Sequence, residues 1–290
     1  MKILILGSSG LLGNTITKYF LLKKEYQTFG LVRQSSKVNL FNKKFHNNFF
    51  VIEDFLDFER FEKLIKGVKP DLVINCIGIT NKIRNKTANL VENHIIVNSL
   101  LPHKIYEICS RYDVRFIHLS TDCVFSGNKG FYSENDLPDP KDIYGKSKLL
   151  GELNYGDSIT IRKSVIGHEL ITKYGLLEWF LNQENEVQGY GKAIFSGMTT
   201  LELAELIEIY IIPKQKLRGI IHVSGYSISK YELLKLISNI YNKDIEIKLD
   251  KSVSINRSLD SSKFNKLTGY KPKSWPVLIK SMYEFNQLDI

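Results

Sequence analysis

The apolar run 114–120 ends in Ser120-Thr121-Asp122. A loop rich in Gly, Ser and Pro leads from there to Tyr144-Gly-Lys-Ser-Lys148, at the start of a helical pattern. Tyr and Lys four apart share one helix face, with side chains in reach of each other. A phenol in water titrates near ~10. A neighbouring ammonium favours phenolate, so the spacing predicts a Tyr144 pKa lowered toward neutrality. Thr121 can hydrogen-bond the same substrate oxygen and hold it against the phenol. The three groups suit proton transfer at a carbonyl or carbinol while a nicotinamide exchanges hydride at carbon. Tyr-x-x-x-Lys alone arises often by chance, and an ordinary exposed helix start reads the same way. Its weight comes from what precedes it.

The elements that must position these groups begin at the first residue. Positions 1–6 form a short apolar strand of the kind buried in a parallel sheet. It runs into Gly7-Ser-Ser9-Gly10-Leu11-Leu12-Gly13, followed by apolar residues at helical spacing. A pyrophosphate fits on the exposed N–H groups of such a helix start, against the alternative of a plain tight turn. The second strand, 26–33, ends in Arg33 with no carboxylate near it. NAD-preferring sites carry an acid there. Arg33 suits the 2′-phosphate of NADP, so NADPH is the expected cofactor with NADH second. Further strands are expected at 49–53, 71–77, 114–120 and 159–166, alternating with amphipathic helices. That alternation predicts an α/β fold, a doubly wound parallel (Rossmann) sheet. Its ligand rim would carry Gly7, Arg33, Asp54, Cys76–Gly78 and Ser120–Asp122. A long helical segment, 87–112, carries Pro102 and must kink or divide. Asn98 in its apolar half is either a core-satisfied amide or a functional one. After residue 166 the pattern loosens. The division is a dinucleotide domain at 1–166 and a smaller α/β substrate lobe at 167–290, with the strand 219–224 returning to the first. Ser229–Glu232 reads as a capping box.

Composition bounds the rest. The chain has 290 residues, 43% apolar and 24% charged, ordinary for a soluble globular protein. No uncharged apolar run is long enough to cross a bilayer, and the start lacks a secretory pattern, so no membrane association and a cytoplasmic location are expected. Three cysteines without ligand spacing predict reduced thiols and no metal site. The net charge of +9 comes without a basic stripe interleaved with aromatics. It points to phosphate-bearing small molecules and not to nucleic acid.

These motifs together resemble the extended short-chain dehydrogenase/reductases, within them the dTDP-4-dehydrorhamnose reductase group, over essentially the whole chain. The resemblance is carried by Gly7/Gly10/Gly13, Asp54-Phe55, the run 70–75 before Cys76-Ile77-Gly78, and Val97-Asn98. It continues in Ser120-Thr121-Asp122 with Val124-Phe125, in Tyr144 to Lys148 with Gly151-Glu152, and in Asn256-Arg-Ser-Leu-Asp260 before Trp275. It implies NAD(P)H-dependent reduction of a 4-keto-6-deoxy sugar on a nucleoside diphosphate, in the service of cell-surface polysaccharide synthesis. Tyr144 would be the general acid, Lys148 would bind the nicotinamide ribose and tune Tyr144, and Thr121 would position the carbonyl. Gly7, Ser9, Gly10, Leu11, Leu12 and Gly13 would border the pyrophosphate. Asp54 and Phe55 would meet the adenine, Cys76, Ile77 and Gly78 the adenine-side ribose and phosphates, and Asn98 would join the cofactor residues. Ser120, Thr121, Asp122, Cys123, His168 and Arg257 would contact substrate, Arg257 at the diphosphate. A homodimer through the helices holding Asn98 and Tyr144 is also implied.

One departure opens an alternative. Cys123 stands where the rhamnose reductases have Tyr, while the GDP-fucose synthase branch places Cys there and pairs it with a His. His168 lies one residue off that spacing, so a Cys123–His168 acid–base pair for epimerisation competes with simple reduction. A 4,6-dehydratase is disfavoured, because Cys123 occupies the position of its Glu base. A non-catalytic regulatory subunit resembling the methionine adenosyltransferase partner is a third class, against which the retention of Thr121, Tyr144 and Lys148 counts.

Overall fold

In the computed structural model, which describes residues 1–80 and 89–290, the chain opens with β1 (Lys2–Leu6), α1 (Leu11–Leu21) and β2 (Gln27–Val32). β3 (Phe49–Val51), α2 (Phe58–Val68) and β4 (Leu72–Asn75) follow. The predicted helix 87–112 is divided into α3 (Leu90–His94), a π-helical turn Ile95–Leu100 and α4 (Leu101–Arg111); residues 87 and 88 lie outside the described residues. Pro102 accounts for the division. It has no N–H for the carbonyl of Asn98, and the backbone widens into a π turn just before it. Next come β5 (Arg115–Leu119), α5 (Ile143–Leu150) and β6 (Ile159–Arg162).

Six of these strands and a seventh form one parallel sheet, ordered β3-β2-β1-β4-β5-β6-β10, with β10 at Gly219–His222. The doubly wound sheet expected from the alternation is therefore present, and β10 returns to its edge beside β6. The central strands bury both faces. Ile3 and Ile5 join one hydrophobic cluster with Ile117, Ile161 and the C-terminal Leu233 and Ile279, whereas Leu4 and Leu6 join a second with Val73, Phe116 and Ile105. Period-two alternation thus divides β1 between two cores. The strand order reverses between β1 and β4, which puts the ligand crevice beyond Leu6 and Asn75.

The C-terminal part holds β7 (Val165–Ile166), α6 (Leu176–Leu181), β8 (Val187–Phe195), β9 (Met198–Thr199) and α7 (Thr200–Leu206). β11 (Ile228–Ser229), α8 (Lys230–Ile240), β12 (Ile247–Asn256), α9 (Ser262–Thr268) and α10 (Trp275–Asn286) complete it. The capping box at Ser229 and Glu232 forms as expected. The three-stranded sheet β11-β8-β12 was not anticipated. β8 and β12 are half exposed and interrupted, β8 by Gly and Lys and β12 by Lys, Asp and Ser, so neither shows a clean alternation. Gly189 lets β8 run under Tyr231, where a Cβ would lie 2.7 Å from its ring.

Candidate functional site

The glycine turn is shaped by steric need. Gly7 has φ +75°, open to glycine and strained for other residues. A Cβ at Gly13 would lie 2.1 Å from the carbonyl oxygen of Gly7, so only glycine lets α1 start this close to β1. Gly7 and Ser8 N–H both donate to Leu31 O at 3.1 Å, which ties the turn to β2. Gly7, Ser9, Gly10, Leu11 and Leu12 remain partly or fully exposed at the helix start, while Gly13 is buried beneath them. This cradle fits a pyrophosphate. Arg33 follows β2, exposed, with its guanidinium 5.8 Å from the centre of the Phe55 ring. Asp54, also exposed, accepts Leu56 N–H at 2.9 Å and so fixes the turn that presents Phe55. A basic group and an aromatic ring thus stand together at the predicted adenine end.

The reacting end is assembled by a second close approach. A Cβ at Gly145 would sit 2.3 Å from Cys123 O. Glycine there lets the first turn of α5 lie against the 3₁₀ turn Asp122–Val124 that follows β5. Asp142 caps α5 by accepting Gly145 N–H at 2.7 Å. Tyr144 and Thr121 are consequently neighbours, close enough for the threonine hydroxyl to act on the phenol. Thr121 also accepts Cys123 N–H at 3.2 Å, which holds its hydroxyl in place.

Lys148 lies one turn further and is buried. Its ammonium donates to Leu119 O at 2.8 Å and to His118 Nε2 at 3.2 Å. Burial lowers its pKa to about 7, with the charge of Lys163 adding to the effect. The expectation that Lys148 lowers the Tyr144 pKa is corrected here. Burial pushes the phenol up, the neighbouring Cys123 adds to this, Thr121 opposes, and Lys148 is not among the larger influences. The ammonium is turned to the β5 carbonyl instead of the phenol. At neutral pH Tyr144 is therefore protonated, the form a proton donor needs.

Several residues placed at the site on sequence grounds have other duties. Ser120 is fully buried and donates to Glu152 Oε1 at 2.6 Å, within the Glu152–Arg162 ion pair, so it faces the interior and not a ligand. The Asn98 amide is spent within the protein. It accepts Ile79 N–H at 2.9 Å, donates to Ile79 O at 2.9 Å and to Ser147 Oγ at 3.0 Å, and lies 3.0 Å from His94 Nδ1. Of the two readings of Asn98, the core-satisfied one holds, and its effect is to fix the loop after Gly78 against α5. Gly78 itself faces the site, since a Cβ on it would point at Asn98 Oδ1 and toward Lys148. Cys76 begins this loop at the end of β4, and Ile77 is buried.

The structure does not bring Cys123 and His168 together. His168 Nδ1 lies 2.6 Å from Glu178 and Nε2 2.8 Å from Tyr241 OH, while its carbonyl accepts from Asn14 of α1. Both ring nitrogens are engaged on the α1 side. Cys123 instead lies beside Asp122 and receives Arg257 Nη1 at 3.7 Å. Burial and Asp122 push its thiol up to about 12, far from a working base. The epimerase pair is corrected accordingly. Arg257, which also donates to Phe125 O at 2.9 Å, does reach the site, at the Asp122–Cys123 turn.

Sequence reasoning missed three residues. His118 and Asn75 hold Lys148 from beneath, Asn75 Nδ2 lying 3.1 Å from His118 Nδ1. Their signal was a polar residue inside an otherwise apolar strand. Lys163 is the third, a lysine directly after the buried strand β6 and thus on the ligand rim.

A glycine cradle at the sheet's reversal point, with a Thr–Tyr–Lys cluster beyond the next strand, defines a dinucleotide-binding α/β protein. The family model described as the RmlD substrate binding domain matches residues 1–166, and the chain belongs to that family. Among curated relatives, a probable low-salt glycan biosynthesis reductase of Haloferax volcanii is 34% identical over 52% of this chain and 48% of its own length. A dTDP-4-dehydrorhamnose reductase of Aggregatibacter actinomycetemcomitans is 25% identical over 97% of this chain and 98% of its own. A methionine adenosyltransferase 2 subunit beta of Danio rerio is 28% identical over 52% of this chain and 42% of its own. The chain spans about half the length of the first curated relatives it matches. A solved dTDP-4-dehydrorhamnose reductase of Bacillus anthracis, in complex with NADP, shares the fold at TM-score 0.76 and 20% identity over 98% of both chains. The resemblance drawn from the residues is borne out at the level of family and fold. Among the described residues no helix is long and apolar enough to cross a membrane, and no cluster of metal-ligating side chains occurs.

Proposed function

We propose that this protein is an NADPH-dependent reductase of a nucleoside-diphosphate-linked 4-keto-6-deoxy sugar, serving polysaccharide synthesis. The observation that carries this reading is the placement of Tyr144 beside Thr121 and one helical turn from Lys148, beyond the glycine cradle. Reductases of sugars or glycans among the relatives support it. When bound, the nicotinamide supplies the hydride. The chain's own residues do the rest. Thr121 and Tyr144 together hold the sugar carbonyl oxygen, and Tyr144 gives it a proton as negative charge develops there. Lys148 binds the ribose beside the nicotinamide. Arg257 takes the substrate diphosphate, with Asp122 and Cys123 lining the sugar, and the segment 167–290 supplies most of the sugar-nucleotide surface.

The deciding assay is NADPH oxidation across a panel of nucleotide-linked 4-keto-6-deoxy sugars, with NMR of the product. Consumption with one of them, giving the 4-hydroxy sugar without solvent deuterium at C3 or C5, is expected. Absence of turnover throughout, with co-purification of a larger enzyme, would favour a regulatory subunit. Arg33 gives a separate prediction. A charge-assisted Arg–phosphate contact contributes ~1.5–3 kcal/mol. Arg33→Ala should weaken NADPH binding roughly tenfold or more by fluorescence titration and leave NADH unchanged; equal affinities of the two cofactors in wild type would remove the preference. A homodimer is the expected assembly. Val91, Ile95 and Leu100 are exposed on the α3–α4 helical run and Leu150 on α5.

A further inference from the structure

Lys163 stands one residue beyond β6, on the rim where β1, β4 and β5 also end. Its backbone is clamped. Asp122 N–H donates to its carbonyl at 3.1 Å, and the carbonyls on either side accept from Val223 at 3.0 Å and Met198 at 3.1 Å. Gly197 permits the last of these, since a Cβ there would lie 2.3 Å from Ser164 O. The residue is only 6% exposed, and the ammonium, which is not sealed from solvent, keeps a small open surface on this rim. Among the described residues no hydrogen-bond acceptor holds the ammonium.

The titratable groups around it are Asp122 and Cys123 after β5, Cys76 after β4, Lys148 on α5 and His118 on β5. Asp122 is already hydrogen-bonded to Thr121 and Ser164. The thiols of Cys76 and Cys123 are pushed up to about 12 and are protonated, and burial keeps His118 neutral. Lys163 therefore faces the Asp122 carboxylate, whose charge favours the ammonium without a hydrogen bond to it, and the Lys148 amine. A nearly buried ammonium with no protein acceptor favours a ligand that brings one. Placed between the cofactor-side residues Cys76 and Lys148 and the sugar-side residues Asp122 and Cys123, it points to an acceptor that arrives with the ligand.

We propose that Lys163 is a further ligand-contacting residue, whose ammonium donates a hydrogen bond to an uncharged oxygen at the hydride-transfer end of the bound pair. That oxygen is either the carboxamide of the nicotinamide or a hydroxyl or carbonyl of the sugar. The assignment rests on the reductase reading. Burial lowers the Lys163 pKa to about 8. The charged donor is present below that pH and is lost as pH rises through it.

The test compares wild type, Lys163→Met, Lys163→Gln and Lys163→Arg at pH 7 and pH 9. It reads NADPH affinity, KM for the keto sugar, and affinity for adenosine 2′,5′-bisphosphate, which reports only the adenine end. At pH 7 Lys163→Met and Lys163→Gln should weaken one ligand about tenfold, and Lys163→Arg should retain most of the affinity. The wild-type advantage should shrink at pH 9, and the bisphosphate should bind all four proteins alike. Loss confined to NADPH assigns the carboxamide; a KM rise alone assigns the sugar. Values within twofold of wild type for both ligands at pH 7 would overturn the assignment. So would loss of bisphosphate binding in both Lys163→Met and Lys163→Gln, which would make the residue structural. A wild type that binds neither NADPH nor NADH sinks the reductase reading and this assignment with it.

Discussion

Tyr144→Phe should lower kcat for keto-sugar reduction by about 10²–10⁴-fold, the usual contribution of a positioned general acid. NADPH affinity should stay within about twofold, because the substitution removes one hydroxyl and keeps the ring. The half-buried phenol lies beside Thr121, and its surroundings keep it protonated. Nothing in the glycine cradle or at Arg33 depends on that hydroxyl. Lys148 is held by Leu119 O and His118, so it keeps its place when the phenol is lost. Steady-state NADPH oxidation and a fluorescence titration on the same preparation separate the two quantities. Turnover within tenfold of wild type would remove Tyr144 as the acid.

Glu152→Ala should be the most destabilising single change near the site. Glu152 and Arg162 form an ion pair in which both side chains are under 5% exposed, with Arg162 Nη2 and Nε at 2.7 and 2.9 Å from the carboxylate. Arg162 also lies over the Phe125 ring, 5.2 Å from its centre, and 3.2 Å from His222. Removing the carboxylate leaves a buried guanidinium uncompensated and frees the Ser120 hydroxyl. Such a loss costs about 3–5 kcal/mol, which lowers Tm by roughly 6–10 °C in a chain of this size. Glu152→Leu combined with Arg162→Met should recover most of it, since a buried pair replaced by apolar side chains is often neutral. Thermal melts of the two forms check this. A Tm drop under about 2 °C for Glu152→Ala would show that water or another group compensates Arg162.

Legibility in the sequence followed burial. The seven-stranded sheet was readable because its strands are continuously apolar and punctuated by glycine. The glycine cradle and the Tyr144–Lys148 spacing were readable because local geometry demands those residues at those offsets. β8 and β12 were not, since a half-exposed strand interrupted by Gly, Lys or Ser shows little period-two signal. Ser120 and Asn98 looked like site residues because they border the motifs. Their partners, Glu152 for one and Ile79 and Ser147 for the other, are fixed only when distant segments pack.

The sequence by itself determined the doubly wound fold, the glycine turn after β1 with Arg33 after β2, and the grouping of Thr121, Tyr144 and Lys148. Each of these depends on residues close together in the chain or on strand periodicity. Only the tertiary structure decided the protonation and pairing of those groups. Burial keeps Tyr144 protonated and depresses Lys148, and neither effect follows from a spacing of four. The separation of Cys123 from His168 is likewise tertiary. Glu178 and Tyr241 take both ring nitrogens of His168, while Cys123 stays with Asp122 and Arg257. Contacts between residues far apart in the chain depend on how whole elements pack, and no local pattern records them.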